Sequence, residues 1–275
     1  MIGGIAIQYD GVRVVTERER ELLDGLRRWI RKAGPLAVAW SGGVDSTLLV
    51  AVGRQELGDD LISLHAHTPL HTDEELRHVE DLAERLGVAV EIVRADPYQW
   101  PEFIANPTDR CYHCKRRLYG RFVELVHRRG VGMLADGTNA DDLEDDRPGL
   151  RALEEFGVRT PLAELGLTKA VVRRLSRFLD LPTWDRPSNS CLATRVPAGL
   201  PIEPVTIERI RRAEAVLTEH GWIGSRVRLT GERAMIEVPT PMVESLWNTL
   251  RQGGLISALR EVGVESVYVD YRGRP

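Results

Sequence analysis

With 275 residues, 43% hydrophobic and 28% charged, the chain has the make-up of a globular protein, and its length suggests about two domains. Its formal charge of −4, from 37 basic and 41 acidic residues, argues against a protein devoted to gripping long nucleic acid, so no DNA partner is expected. No stretch approaches the ~18 apolar residues that cross a bilayer, and Met1–Asp10 lacks a secretory pattern. Three cysteines make no disulfide framework, so a reducing cytoplasm and no membrane are expected.

In chain order, Glu17–Lys32 reads as an amphipathic helix, with Leu22, Leu23, Leu26, Trp29 and Ile30 at helical spacing and Gly34-Pro35 as its stop. Leu36-Ala37-Val38-Ala39-Trp40 reads as a buried strand leading into a Gly-rich turn. A helix over 47–57, a strand over 61–66, a helix over 73–86 and a strand over 88–93 follow. A basic helix over 116–129 then precedes a strand at 133–135. This alternation predicts an α/β fold with a doubly wound parallel sheet. Five prolines between Pro182 and Pro204 predict a hinge. Beyond it, a helix (205–220), two strands (227–229 and 234–238) joined through Thr230-Gly231-Glu232, a helix (241–252) and a last strand (267–269) predict a smaller C-terminal α+β domain. The expected division is 1–185 and 186–275.

Ser41-Gly42-Gly43-Val44-Asp45-Ser46 stands between the first strand and a helix. Glycines let backbone approach an anion, and the N–H groups and dipole of the following helix favour it. Ser41 and Ser46 offer hydroxyls; Asp45 calls for Mg²⁺ between itself and a phosphate. The segment is not a Walker loop, since Gly-x-x-x-x-Gly-Lys-Ser/Thr is missing. It resembles the PP-loop signature of the adenine nucleotide alpha-hydrolase-like ATP pyrophosphatases. That resemblance implies ATP cleavage between the α and β phosphates, with formation of an adenylate.

Cys111 and Cys114 lie in Asp109-Arg110-Cys111-Tyr112-His113-Cys114-Lys115, and Cys191 in Pro187-Ser188-Asn189-Ser190-Cys191-Leu192-Ala193-Thr194-Arg195. The charged surroundings of the pair predict lowered thiol pKa values, suited to thiolate chemistry or metal binding. Three readings stand: three ligands of a [4Fe-4S] cluster with one open iron, a zinc site completed by a histidine such as His113, or a redox Cys-x-x-Cys.

A longer pattern surrounds these residues. Asn106-Pro107, Arg110-Cys111-Tyr112 and Cys114-Lys115 are followed by Asp136-Gly137-Thr138-Asn139-Ala140-Asp141-Asp142. Asp145, Arg147-Pro148-Gly149, Thr160-Pro161-Leu162, Lys169, Arg173, Leu181-Pro182-Thr183-Trp184 and Cys191-Leu192-Ala193-Thr194-Arg195 complete it. This run is similar to the LarE family of ATP-dependent sulfur transferases, which help build the nickel-pincer cofactor of lactate racemase.

The resemblance implies adenylation of a carboxylate of pyridinium-3,5-dicarboxylate mononucleotide, then displacement of AMP by sulfur. Some members sacrifice the sulfur of a cysteine at the position of Cys191. Others carry all three cysteines on a [4Fe-4S] cluster, and this chain matches the second pattern. By motif match, Ser41, Gly42, Gly43, Asp45 and Ser46 hold pyrophosphate and Mg²⁺, while His65, Ala66, Thr68, Asp136, Gly137 and Asn139 border ATP. Arg147, Lys169, Arg195, Arg226, Arg228 and Glu237 are implied at the substrate, with Cys111, Cys114 and Cys191 at the sulfur. A homo-hexamer and handover to a nickel-inserting protein are also implied. The competing readings are a tRNA 2-thiouridine synthetase and an amide-forming ligase related to NAD synthetase.

Overall fold

A computed structural model describes residues 15–144, 148–187 and 190–274. The first helix, α1 (Glu17–Ala33), opens with a capping box in which Thr16 and Glu19 satisfy each other's backbone N–H groups. Strand β1 (Leu36–Ala39) and helix α2 (Val44–Leu57) flank the Gly-rich turn. Then come β2 (Leu61–His67), α3 (Asp73–Leu86), β3 (Val90–Arg94), the short α4 (Pro101–Ile104), α5 (Arg110–Arg128) and β4 (Leu134–Asp136). Three short helices follow, α6 (Pro148–Glu155), α7 (Pro161–Glu164) and α8 (Lys169–Phe178).

The four strands form one parallel sheet in the order β3-β2-β1-β4. The period-2 alternation of β1 sorts its side chains between two cores. Leu36, Val38 and Trp40 join α1, α2, α3 and α8 on one face; Ala37 and Ala39 join Tyr119, Phe122 and Val126 of α5 on the other. Burial on both faces is what a doubly wound sheet requires, so the expected fold class holds.

The C-terminal part contains α9 (Pro204–Glu219), β5 (Arg226–Thr230), β6 (Arg233–Glu237), α10 (Val243–Arg251), α11 (Gly254–Glu261) and β7 (Ser266–Val269). Strand β6 pairs antiparallel with β5 and parallel with β7. Ile207, Ile210, Ala213 and Leu217 of α9 pack beneath Val227, Leu229, Ala234 and Ile236. Leu70, Ala95, Trp100 and Phe103 from the first part enter this same core. No helix among the described residues is long and apolar enough to cross a membrane.

Two helices begin three or more residues before their expected starts. Helix α2 begins at Val44, so Asp45 and Ser46 sit in its first turn. Helix α5 begins at Arg110, six residues before the expected start, and so carries Cys111 and Cys114. Its N-cap, Asp109, is a residue type favoured there but makes no side-chain cap bond.

Candidate active site

The turn after β1 is closed by its own serines. Ser41 and Ser46 hydroxyls lie 3.0 Å apart, the Ser41 N–H donates to Ser46 Oγ at 3.2 Å, and the Gly43 N–H donates to Ser41 Oγ at 3.3 Å. Gly42 has φ +76°, and a Cβ there would meet Val79 at 2.8 Å. Gly43 is the N-cap of α2 without a capping side chain. The first N–H groups of the helix therefore face the turn, as an anion site needs.

Asp45 is held from two sides. Asn139 Nδ2 donates to its Oδ1 at 3.2 Å, and Lys169 Nζ forms an ion pair with its Oδ2. Lys169, expected at the substrate, thus stands in the ATP loop. Asn139 is buried, and its Oδ1 accepts the N–H groups of Asp141 and Asp142. Asp136 does not face the loop with a free carboxylate: Tyr119 Oη, the Thr138 N–H and Thr138 Oγ1 all donate to it. Its work is to shape the segment 136–139. Arg147 lies outside the described residues.

Gly137 is required by close approach. A Cβ at this position would stand 2.7 Å from Ser46 N and 2.8 Å from Ser46 Cα, against backbone that cannot rotate away. Gly137→Ala is expected to lower stability by about 2 kcal/mol and to weaken ATP binding, read as a drop in Tm together with a calorimetric Kd. An unchanged Tm would contradict this packing.

At the end of β2, His65 is buried and its Nδ1 donates to the carbonyl of Trp40, the residue before the loop. That bond leaves Nε2 as a bare acceptor, buried and without a partner among the described residues. Burial holds His65, His67 and His71 below the usual histidine pKa. The Thr68 N–H donates to His71 Nδ1 at 3.1 Å. Ala66 is half-buried beside them on β2. A cleft of about 400 Å³ opens past His67 and Thr68 toward Arg94, Asp96 and Arg121.

The three cysteines gather in one region, near enough for the charge of each of Cys111 and Cys191 to act on Cys114. Burial and that repulsion push the Cys114 thiol up to about 12, outweighing Arg110 and Lys115. Cys191 reaches solvent but is crowded by protein, which lifts its thiol too. The expected lowering of the pair's thiols therefore fails for Cys114, because burial outweighs its cationic neighbours. At pH 8 only about one Cys114 in ten thousand would be thiolate. Its alkylation by iodoacetamide is expected to rise about tenfold per pH unit up to pH 11. A plateau near pH 9 would contradict this.

Among the described residues, no group of three or more His, Cys, Asp or Glu side chains could hold a metal ion. An iron–sulfur cage spreads its cysteine ligands more widely than one ion does, and three thiols are the donor type such a cage takes.

Arg195 differs from expectation. It is 2% exposed, and its guanidinium donates to both carboxylate oxygens of Glu214, at 2.8 and 3.3 Å, and to Ser190 and Thr194. It is spent inside the fold, bracing the turn that carries Cys191, and offers no free face to a phosphate. Glu214 also accepts the Val227 N–H at 2.9 Å. Arg228 pairs with Glu237 across the sheet and donates to Thr194 O at 2.8 Å, so both residues brace the same turn. Arg226 is half-buried, pairs with Glu237 through the strand backbone, and its side chain makes no hydrogen bond or ion pair among the described residues. Burial, then the charges of Arg274 and Arg195, lower its pKa. It is the arginine of this group still able to take an anion.

A Ser-Gly-Gly-Val-Asp-Ser turn at the carboxyl edge of a doubly wound parallel sheet, with bare N–H groups and one acidic side chain, defines an ATP pyrophosphatase of the PP-loop kind. Comparisons with known proteins agree. A family model described as asparagine synthase matches residues 18–144. An uncharacterised protein of Synechocystis sp. is 36% identical over 91% of this chain and 94% of its own. The pyridinium-3,5-bisthiocarboxylic acid mononucleotide synthase of Lactiplantibacillus plantarum is 34% identical over 74% of each chain. An uncharacterised protein of Methanocaldococcus jannaschii is 29% identical over 74% of this chain and 77% of its own. The chain belongs to the LarE family of ATP-dependent sulfur transferases.

Proposed function

We propose that the protein adenylates a carboxylate of pyridinium-3,5-dicarboxylate mononucleotide and converts it to a thiocarboxylate for nickel-pincer cofactor synthesis. The sulfur comes from sulfide on a [4Fe-4S] cluster held by Cys111, Cys114 and Cys191. One helix carries this reading. Helix α5 bears Cys111 and Cys114 in its first turns, coupled in charge to Cys191, and its Tyr119 bonds Asp136 beside the ATP loop. The sulfur region and the ATP region are thereby tied to one rigid element. The name of the Lactiplantibacillus plantarum relative supports the same product class.

A carboxylate is a poor electrophile with a poor leaving group. Its oxygen attacks the α-phosphorus of ATP, pyrophosphate leaves, and AMP becomes the leaving group. Ser41, Ser46 and the N–H groups opening α2 stabilise the charge that builds on pyrophosphate. Asp45 is the residue to hold Mg²⁺, which when bound offsets that charge. With Mg²⁺ on Asp45, Lys169 would be free to turn to the phosphates. Arg226 takes the phosphate of the mononucleotide. Cys111, Cys114 and Cys191 would hold the cluster, which when bound would supply sulfide-level sulfur, a nucleophile at neutral pH. Sulfur attack on the acyl carbon expels AMP and leaves the thiocarboxylate. Residues 186–275 form the sulfur-transfer and oligomerisation unit of a cytoplasmic homo-hexamer, which passes its product to a nickel-inserting protein.

Anaerobic reconstitution with iron and sulfide tests the cluster. About four irons per chain, lost in Cys114→Ala, are expected. A colourless, iron-free wild-type protein would remove the cluster and leave Cys191 as the sulfur donor.

A further inference from the structure

Asn106 lies five residues before Cys111, in the segment joining α4 to α5. It is wholly buried and has φ +52°. Its side-chain Nδ2 donates to Pro197 O at 2.8 Å and Leu200 O at 2.7 Å, with a longer contact to Val196 O at 3.5 Å. Its Oδ1 accepts from Arg110, the residue preceding Cys111. Its own carbonyl accepts the Gly199 N–H at 2.8 Å, and Ile104 O accepts the Ile202 N–H at 2.9 Å. The chain entering the two-cysteine turn is thus riveted to the chain leaving the Cys191 turn.

The residue type is demanded by this position. A primary amide offers two N–H donors and an acceptor on one short stem. Asn also tolerates the left-handed backbone better than other side chains do. Asp would bring no donors and face carbonyl oxygens with a carboxylate. Gly would keep the backbone and lose every side-chain bond, leaving buried carbonyls unpaired.

We propose that Asn106 is a positioning residue of the sulfur site, whose side chain fixes the separation between the Cys111–Cys114 turn and Cys191. It acts through the backbone of both segments rather than by touching reactants. This rests on the reading that the three cysteines act together, and on no assumption about what they hold.

The test uses the full-length Cys114→Ser protein, in which Cys111 and Cys191 are the two remaining thiols. The reduced protein is treated with dibromobimane, a short reagent that bridges two thiols, and the Cys111–Cys191 peptide is followed by mass spectrometry. ATP binding is measured beside it. Adding Asn106→Gly or Asn106→Asp is expected to slow bridging about tenfold or more, since two short buried hydrogen bonds are lost. ATP affinity should stay within about twofold, because the loop after β1 is untouched. Unchanged bridging in both variants would overturn the inference. So would parallel loss of bridging and ATP binding, which would make Asn106 a general stability residue, or absence of bridging in the Cys114→Ser parent. If that parent bridges but the wild type takes up no iron, the cluster reading fails and the role of Asn106 stands.

Discussion

Asp45→Ala is expected to cut AMP formation by a factor of about a thousand at saturating ATP. Asp45 is the acidic side chain of the loop, and its two oxygens already have partners, Asn139 on one and Lys169 on the other. A Mg²⁺ held by Asp45 would take the place of the Lys169 ammonium and would offset the charge on leaving pyrophosphate. Without Asp45 neither cation has an anchor, and Asn139 loses the acceptor that holds it against the loop. Lys169→Met should behave differently. It removes a competitor for the metal as well as a cation for phosphate, so a loss of about tenfold is expected. Initial rates of pyrophosphate release, taken over a Mg²⁺ titration, separate the two. Equal losses in both variants would mean that the pair is structural and that the metal sits elsewhere.

Cys191→Ser should divide the reaction into its halves. Substrate-dependent exchange of labelled pyrophosphate into ATP should persist within about twofold, while thiocarboxylate falls below about 1% of wild type. Serine keeps the shape of the turn that Arg195, Arg228 and Glu214 brace. It removes only the sulfur. Loss of exchange together with product would place Cys191 in the adenylation half instead. The buried brace has its own consequence: removing one partner of a buried, hydrogen-bonded ion pair strands the other, so Arg195→Met should release the turn without touching ATP binding.

Much of the first half was legible from residues alone. The alternation of Leu36, Val38 and Trp40 with Ala37 and Ala39 announces a strand buried on two faces, and that is how β1 sits. The Gly-rich turn declares itself, because glycine and hydroxyl residues between a strand and a helix have few other uses. What the sequence hid was set by partners far along the chain. Arg195 reads as a free cation beside a cysteine, yet Glu214, nineteen residues on, has claimed it. Cys114 reads as a thiol among cations, yet packing against the core of the C-terminal part buries most of it and reverses the direction of its pKa. Helix α5 begins at Arg110 without a side-chain cap bond, and the Arg110 guanidinium donates back to Asn106 Oδ1. Helix α11 follows α10 after a left-handed Gly253, where the sequence predicts no element between the helix ending at Gln252 and the last strand. Asn106 was visible only as part of a motif, and its function appears once residues 196–200 fold back onto it.

The central claim is that ATP is spent to replace a carboxylate oxygen by sulfur. The direct measurement is mass spectrometry of pyridinium-3,5-dicarboxylate mononucleotide after anaerobic incubation with the iron-reconstituted protein, Mg·ATP and sulfide. The account predicts a product in which sulfur has replaced one oxygen, formed with AMP in equal amount and in more than one turnover per chain. AMP without sulfur in the product would contradict sulfur transfer, and product limited to one sulfur per chain with mass lost at Cys191 would contradict the cluster as its source.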